Sequence, residues 1–208
     1  MFLRTLPDRW ASVPAIVVSA LLAVAGPALA RQEPVNNQTF DADVPLEPGQ
    51  CVSHPRGPCD IHELSPVPGW VAHGRNTGIA LPLDGAYEEP WLHGEVGFAG
   101  ITENGPGWLQ QDIVPTKHTG SYTLQLRVAC RHDKPCAGYR ITVLFDGVIT
   151  NTFELAPHQM TPGFWYAEEF RFEPQPDGQL TIHLGGYGGS LDAEVDFDNC
   201  YLRWLNGG

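Results

Sequence analysis

Trp108, Gln110, Gln125, Arg127, Arg140, Trp165, Glu169 and His183 are the residues whose chemistry is most suggestive in this chain. An indole ring stacks on the apolar face of a pyranose, while amide, guanidinium, carboxylate and imidazole groups fix its hydroxyls, the division of labour of a small-ligand site. These side chains emerge on outer sheet faces, with Arg171, if Leu109, Tyr122 and Phe170 turn into a core. A second grouping lies in loops: Tyr87, Glu88, Glu89, Trp91 and His93, with Tyr187 inside Gly185-Gly-Tyr-Gly-Gly189. Glycine there lets a ligand approach the backbone. It is not a phosphate loop, since the Lys-Ser/Thr ending and the following helix are both missing.

The elements that must position these groups read as β-strands. From about residue 69 onward, segments of period two alternate with turn signals, and no window carries an amphipathic helix stripe. Between Ser121 and Cys130, the residues Tyr122, Leu124, Leu126, Val128 and Cys130 fall on one side, with Thr123, Gln125 and Arg127 on the other. That is a half-buried strand. Tyr139, Ile141, Val143 and Phe145 repeat the pattern, and Asp146-Gly147 then predicts a tight hairpin into Val148 to Leu155. Phe170 with Phe172, and Leu180, Ile182 with Leu184, supply further inward sets. Weaker strands are expected at Trp70 to His73, Trp91 to Ile101 and Trp108 to Val114. In the last strand Val195 and Phe197 lie on one parity, but Cys200, Leu202 and Trp204 on the other. A β-bulge near Asp198-Asn199 would keep both sets inside. Such a set of strands without helices predicts an all-β, two-sheet antiparallel sandwich of jelly-roll type.

Residues 1–30 carry Arg4 and Arg9, an apolar run from Val13 to Val24, and Ala28-Leu-Ala30, the layout of a cleavable signal peptide. A secreted or periplasmic location follows as an expectation. No later stretch reaches the roughly 20 apolar residues of a spanning helix. Residues 31–36 read as an N-terminal arm and 37–205 as one sandwich domain. Formal net charge is −12, and loss of the leader makes it one unit more negative. Such a surface argues against nucleic-acid partners, which call for clustered Lys and Arg. All five cysteines follow the leader, and export makes disulfides plausible. Counting does not fix their pairing, but local spacing suggests Cys51 with Cys59 and Cys130 with Cys136. Cys200, left over, reads as a small buried hydrophobe, with a nucleophile or an intermolecular bridge as the sharper alternative.

Several short segments, taken in order, resemble secreted galactose-binding-like jelly rolls such as family 4 and family 9 carbohydrate-binding modules. They are Asn37-Gln-Thr-Phe-Asp41, Val67-Pro-Gly-Trp70, Trp108-Leu-Gln-Gln-Asp-Ile113, Gly120-Ser-Tyr-Thr-Leu124, Phe164-Trp-Tyr with Phe170-Arg-Phe172, and Asp196-Phe-Asp-Asn-Cys-Tyr-Leu202. The resemblance implies an exported domain that binds carbohydrate without turnover. It also implies a structural calcium held by Asp41 and Asp198, for which the other reading is that Asp198 caps backbone amides at the bulge.

Glu194-Val-Asp-Phe-Asp198 resembles the Glu-x-Asp-x-Glu of family 16 glycoside hydrolases, with Asp as its third acid. On a regular strand the outer two positions are roughly 13 Å apart, whereas a retaining pair needs about 5 to 5.5 Å. Hydrolysis by Glu194 and Asp198 is therefore the alternative reading, and a structural or adhesion module that recognises protein is a third. Gly189-Ser190-Leu-Asp192 lacks the second glycine of a nucleophile elbow, and none of the histidines has zinc-protease spacing.

Overall fold

The alternation of apolar and polar residues resolves into twelve strands in the computed structural model. It describes residues 31–33, 35–36, 40, 69–74, 76–80, 87–88, 96–114, 120–173, 175 and 178–205. The strands are β1 (Arg31–Glu33), β2 (Val71–His73), β3 (Thr77–Ala80), β4 (Val96–Thr102), β5 (Gly105–Pro106) and β6 (Trp108–Ile113). There follow β7 (Ser121–Ala129), β8 (Gly138–Phe145), β9 (Val148–Leu155), β10 (Trp165–Phe172), β11 (Leu180–Tyr187) and β12 (Glu194–Leu205). A single 3-10 turn, Pro157–Gln159, interrupts them among the described residues. No helix among these residues is long and apolar enough to cross a membrane.

Two antiparallel sheets face each other. One has seven strands in the order β10-β7-β12-β4-β3, with β1 on β12 and β5 on β4; the other has five, in the order β2-β6-β11-β8-β9. The chain is an all-β jelly-roll sandwich. Tyr122, Leu124, Phe197 and Leu202 from the first sheet meet Leu109, Ile141, Ile182 and Leu184 from the second, all fully enclosed. Burying each such side chain favours folding by about 1.5–3 kcal/mol. Gln111, inside the sandwich at an inward position of β6, is satisfied by bonds to the Asn36 backbone and to the Gly69 carbonyl. It thereby ties the N-terminal segment to the five-stranded sheet.

The parity break in β12 is accommodated as the sequence requires. Its register against β7 shifts between Asp198 and Tyr201, and Asn199 takes φ 50°, a left-handed value that asparagine tolerates better than most residues. Val195 and Phe197 before the bulge, and Cys200, Leu202 and Trp204 after it, are consequently all buried. The Asp146-Gly147 hairpin turn has φ of 49° and 75°, the two positive values of a type I′ turn. The arm at 31–36 does more than trail: β1 pairs with Leu202–Trp204 of β12, along the edge of β12 that β4 occupies nearer its start.

Cys130 and Cys136 are joined across the turn from β7 to β8, with Cα atoms 5.2 Å apart. Arg131 and Asp133 form a two-pronged ion pair within that loop. Six residues of separation make the loop short, so reduction is expected to cost roughly 2 kcal/mol of chain-entropy stabilisation. Urea unfolding with and without a reductant that leaves the fold otherwise intact measures it; an unchanged midpoint would show that the bridge is energetically idle. Cys51 and Cys59 lie outside the described residues. Cys200 is fully enclosed, and burial, with the neighbouring Asp198 charge, pushes its thiol up to about 12. A thiol so protonated is a packing group and not a nucleophile.

Candidate functional site

Inward-facing Leu109, Ile141 and Leu184 turn their neighbours out onto the exposed face of the five-stranded sheet. The register aligns His73, Trp108, Gly185, Arg140 and Glu154 as one row across β2, β6, β11, β8 and β9. Gln110, His183 and Thr142 form the next row. Trp108 stacks on His73 with ring centroids 4.9 Å apart and planes 13° from parallel, and lies 5.9 Å from His183. The Arg140 guanidinium sits 4.5 Å from the centroid of the Tyr187 ring and its Nε donates to Glu154, so its orientation is fixed and its charge offset. Between these walls is a cavity of about 220 Å³, lined by Trp108, Arg140, Thr142 and His183 over Gly107, Gly185 and Gly186. Burial, reinforced by His73 and opposed by Asp112, holds His183 below the usual imidazole range. At neutral pH it is an uncharged donor and acceptor.

Gln125, Arg127, Trp165 and Glu169 lie on the opposite layer. Gln125 donates to Glu169 at 2.8 Å, and Arg171 donates to the other Glu169 oxygen at 3.2 Å. The Gln125 bond, then Arg171, holds the Glu169 carboxyl below its usual range. Arg127 pairs in register with Asp198 on one side and Ala167 on the other. Trp165 packs against Tyr87, at 4.8 Å, and against the small outer cluster of Ala80, Val96 and Phe98. Trp108 and Trp165 are thus in different sheets, and no single platform uses both. Trp108, Gln110, Arg140, His183 and Tyr187 come together; Gln125, Arg127, Trp165 and Glu169 form a separate group. Trp91, Glu89 and His93 lie outside the described residues. Tyr87 is buried on the seven-stranded side and so does not share a rim with Tyr187.

The three acids of β12 point outward, opposite in parity to Val195 and Phe197, yet they are covered: Glu194 is 2% exposed, Asp196 0% and Asp198 8%. Lys134 Nζ lies 3.1 Å from Glu194, and the Tyr87 hydroxyl donates to Asp196 at 2.8 Å. Asp198 accepts the Asn199 backbone N–H at 2.6 Å and its side-chain amide at 2.9 Å. Each carboxylate is therefore engaged with its own partner, and Asp198 performs the amide-capping role at the bulge. Asp41, its expected calcium partner, lies outside the described residues. Among those described, no three His, Cys, Asp or Glu side chains converge to hold a metal. Sequence reasoning passed over His73, Thr142 and Glu154, which complete the five-stranded face, and the burial of Tyr87. The first three alternate in phase with known outward residues, a usable signal once the strand order is known.

No protein-family model matches the chain, and neither does any curated protein sequence. Solved structures share its fold. A cyclase from Fischerella sp. TAU in complex with 4-(1H-indol-3-yl)butan-2-one is 18% identical with a TM-score of 0.63, the match covering 86% of this chain and 100% of that one. The Stig cyclase Fisc from the same source, bound to (3Z)-3-(1-methyl-2-pyrrolidinylidene)-3H-indole, is 18% identical with a TM-score of 0.62, covering 84% and 97%. The CBM22-1 xylan-binding domain of Paenibacillus barcinonensis Xyn10C is 10% identical with a TM-score of 0.50, covering 88% and 99%. The architecture of this chain is thus shared by a xylan-binding domain and by cyclases.

Proposed function

We propose that this chain is an exported, non-catalytic carbohydrate-binding domain that seats a neutral glycan on the outer face of its five-stranded sheet. The observation that carries the reading is Trp108 standing across Gly185 from Arg140, an aromatic wall facing a fixed planar donor over a cavity. Glu154 offsets the Arg140 charge, and the net charge of −12 disfavours acidic polymers, so the ligand is a hydroxyl-rich, uncharged sugar. The similar fold of a xylan-binding domain supports the class. Export rests on residues 1–30.

Affinity electrophoresis and calorimetry with xylan, β-glucan and galactan test it. Trp108→Ala is expected to weaken binding at least about tenfold through lost ring contact, while Gln125→Ala, on the opposite sheet, leaves it unchanged. No binding to any of these polymers at millimolar concentration would remove the reading.

One observation favours a second reading, a small-molecule enzyme: the wholly buried Asp196, held by Tyr87 beside an apolar cluster that includes Phe98 and Trp165. A buried acid in apolar surroundings suits proton transfer, and the cyclases of similar fold bind indole compounds. A thermal shift with 4-(1H-indol-3-yl)butan-2-one that disappears in Asp196→Asn would favour it. Hydrolysis by Glu194 and Asp198 fits less well, because Lys134 holds the first and the bulge amides occupy the second.

A further inference from the structure

Glycine in the middle of a β-strand weakens the strand and marks a bend, a close backbone approach or a place where a ligand comes down onto the chain. Gly185 and Gly186 sit side by side in β11, and they face opposite sides of the sheet. Gly186 faces the interior, where an added Cβ would come within 3.0 Å of the Ile101 side chain and 3.2 Å of the Ala99 carbonyl. The neighbouring Gly138 is closed too: a Cβ there would lie 2.0 Å from the Leu155 carbonyl. Gly185 is different. It faces outward, its φ is not positive, and its nearest contacts would be the Trp108 Cβ at 3.3 Å and two carbonyls at 3.4 Å. A methyl group there needs its neighbours to give by a few tenths of an ångström, far less than at Gly138, and the backbone conformation does not call for glycine.

The missing side chain leaves a pit with side chains on three sides. Trp108 on β6 and Arg140 on β8 are its cross-strand neighbours, and His183, two residues back along β11, lines one end. Adjacent strands are about 4.8 Å apart and residues two apart on a strand about 6.6 Å. Trp108 and Arg140 stand one strand to either side of Gly185, so their backbones are about 9.6 Å apart, which leaves room for the thickness of one six-membered ring between indole and guanidinium. The cavity of about 220 Å³ is likewise below the roughly 300–1,000 Å³ of sites for larger ligands.

We infer that Gly185 is the seat of a single sugar ring, and that the domain recognises the end of a glycan chain, or a monosaccharide, instead of an internal stretch of polysaccharide. This rests on the carbohydrate reading above and narrows it. Trp108 takes the apolar face of the ring, the Nη groups of Arg140 and the neutral His183 take its hydroxyls, and Gly185 lets the ring settle against the strand.

The test is calorimetry of the wild-type protein with xylose, xylobiose and xylohexaose, and with the matching glucose and galactose series, beside thermal melts of Gly185→Ala and Gly138→Ala. In whichever series binds, affinity per chain should stay within about threefold from one ring to six. Gly185→Ala should lower affinity at least about tenfold for every length, as one misplaced methyl group does in a fitted pocket, while its Tm stays level or rises. Gly138→Ala, by contrast, should lower Tm. Affinity that climbs steeply with chain length, or binding undiminished in Gly185→Ala, overturns the single-ring seat and leaves the carbohydrate reading standing. A drop in Tm for Gly185→Ala as large as that for Gly138→Ala makes the glycine structural and overturns it equally. A protein that binds no sugar of any length removes the carbohydrate reading itself, and the seat with it.

Discussion

Phe197→Ala is expected to lower stability by about 3–5 kcal/mol, the usual cost of truncating a fully packed aromatic ring. Phe197 is 0% exposed and sits in β12 between Gly97 of β4 and Val128 of β7. The surroundings are poorly able to close over the space. Gly97 is already so tightly covered that a Cβ there would lie 2.5 Å from the Phe40 ring and 2.7 Å from Leu109. Phe197 is also the last inward residue before the chain reverses parity, so its backbone is pinned by two ladders on one side of the bulge and by the shifted β7 register on the other. Relaxation that would fill the cavity would have to move the bulge as well. Urea titration followed by tryptophan fluorescence gives the number, and a loss below about 1 kcal/mol would mean that the two sheets are not closely packed at this point.

That same stretch shows what could be read from the sequence and what could not. The phase change between Phe197 and Cys200 demanded a bulge, because side-chain alternation is strict and both apolar sets must be inside. Asp146-Gly147 fixed a hairpin for an equally local reason, the need for two positive φ values. Alternation says which side of a strand a residue occupies, however, and not which strands lie beside it. β7 pairs with β10 and β12 and not with its sequence neighbour β8, and β6 pairs with β11 from the far end of the chain. The partition of Trp108 and Trp165 between two sheets follows from that long-range order, which no short window carries. β1 was equally invisible, since Arg31-Gln-Glu33 has no apolar alternation and pairs through its backbone. Tyr87 lies in a stretch rich in turn residues and reads as surface; what encloses it is its bond to Asp196, 109 positions away.

Tyr87→Phe tests that bond with almost no change of shape. Removing the hydroxyl deletes a donor to a fully enclosed carboxylate, and hydrogen bonds to charged groups are worth about 1.5–3 kcal/mol, more than neutral ones. The phenol is itself perturbed: burial first, then the Asp196 charge and the bond to it, hold Tyr87 well above its ordinary value of 10.0. In the unfolded chain it ionises near pH 10, so above that pH the unfolded state releases a proton that the folded state keeps. The Tyr87 contribution is therefore complete below pH 10 and fades as pH rises past it. Tyr139, raised chiefly by burial as well, is present in both proteins and cancels. The gap between wild type and Tyr87→Phe in urea midpoint should thus be wide at pH 8 and narrower at pH 10.5. An equal midpoint at pH 8 would mean that the hydroxyl contributes nothing to holding Asp196, and a gap that widens with pH would mean that the tyrosine is ionised, not protonated, in the folded protein.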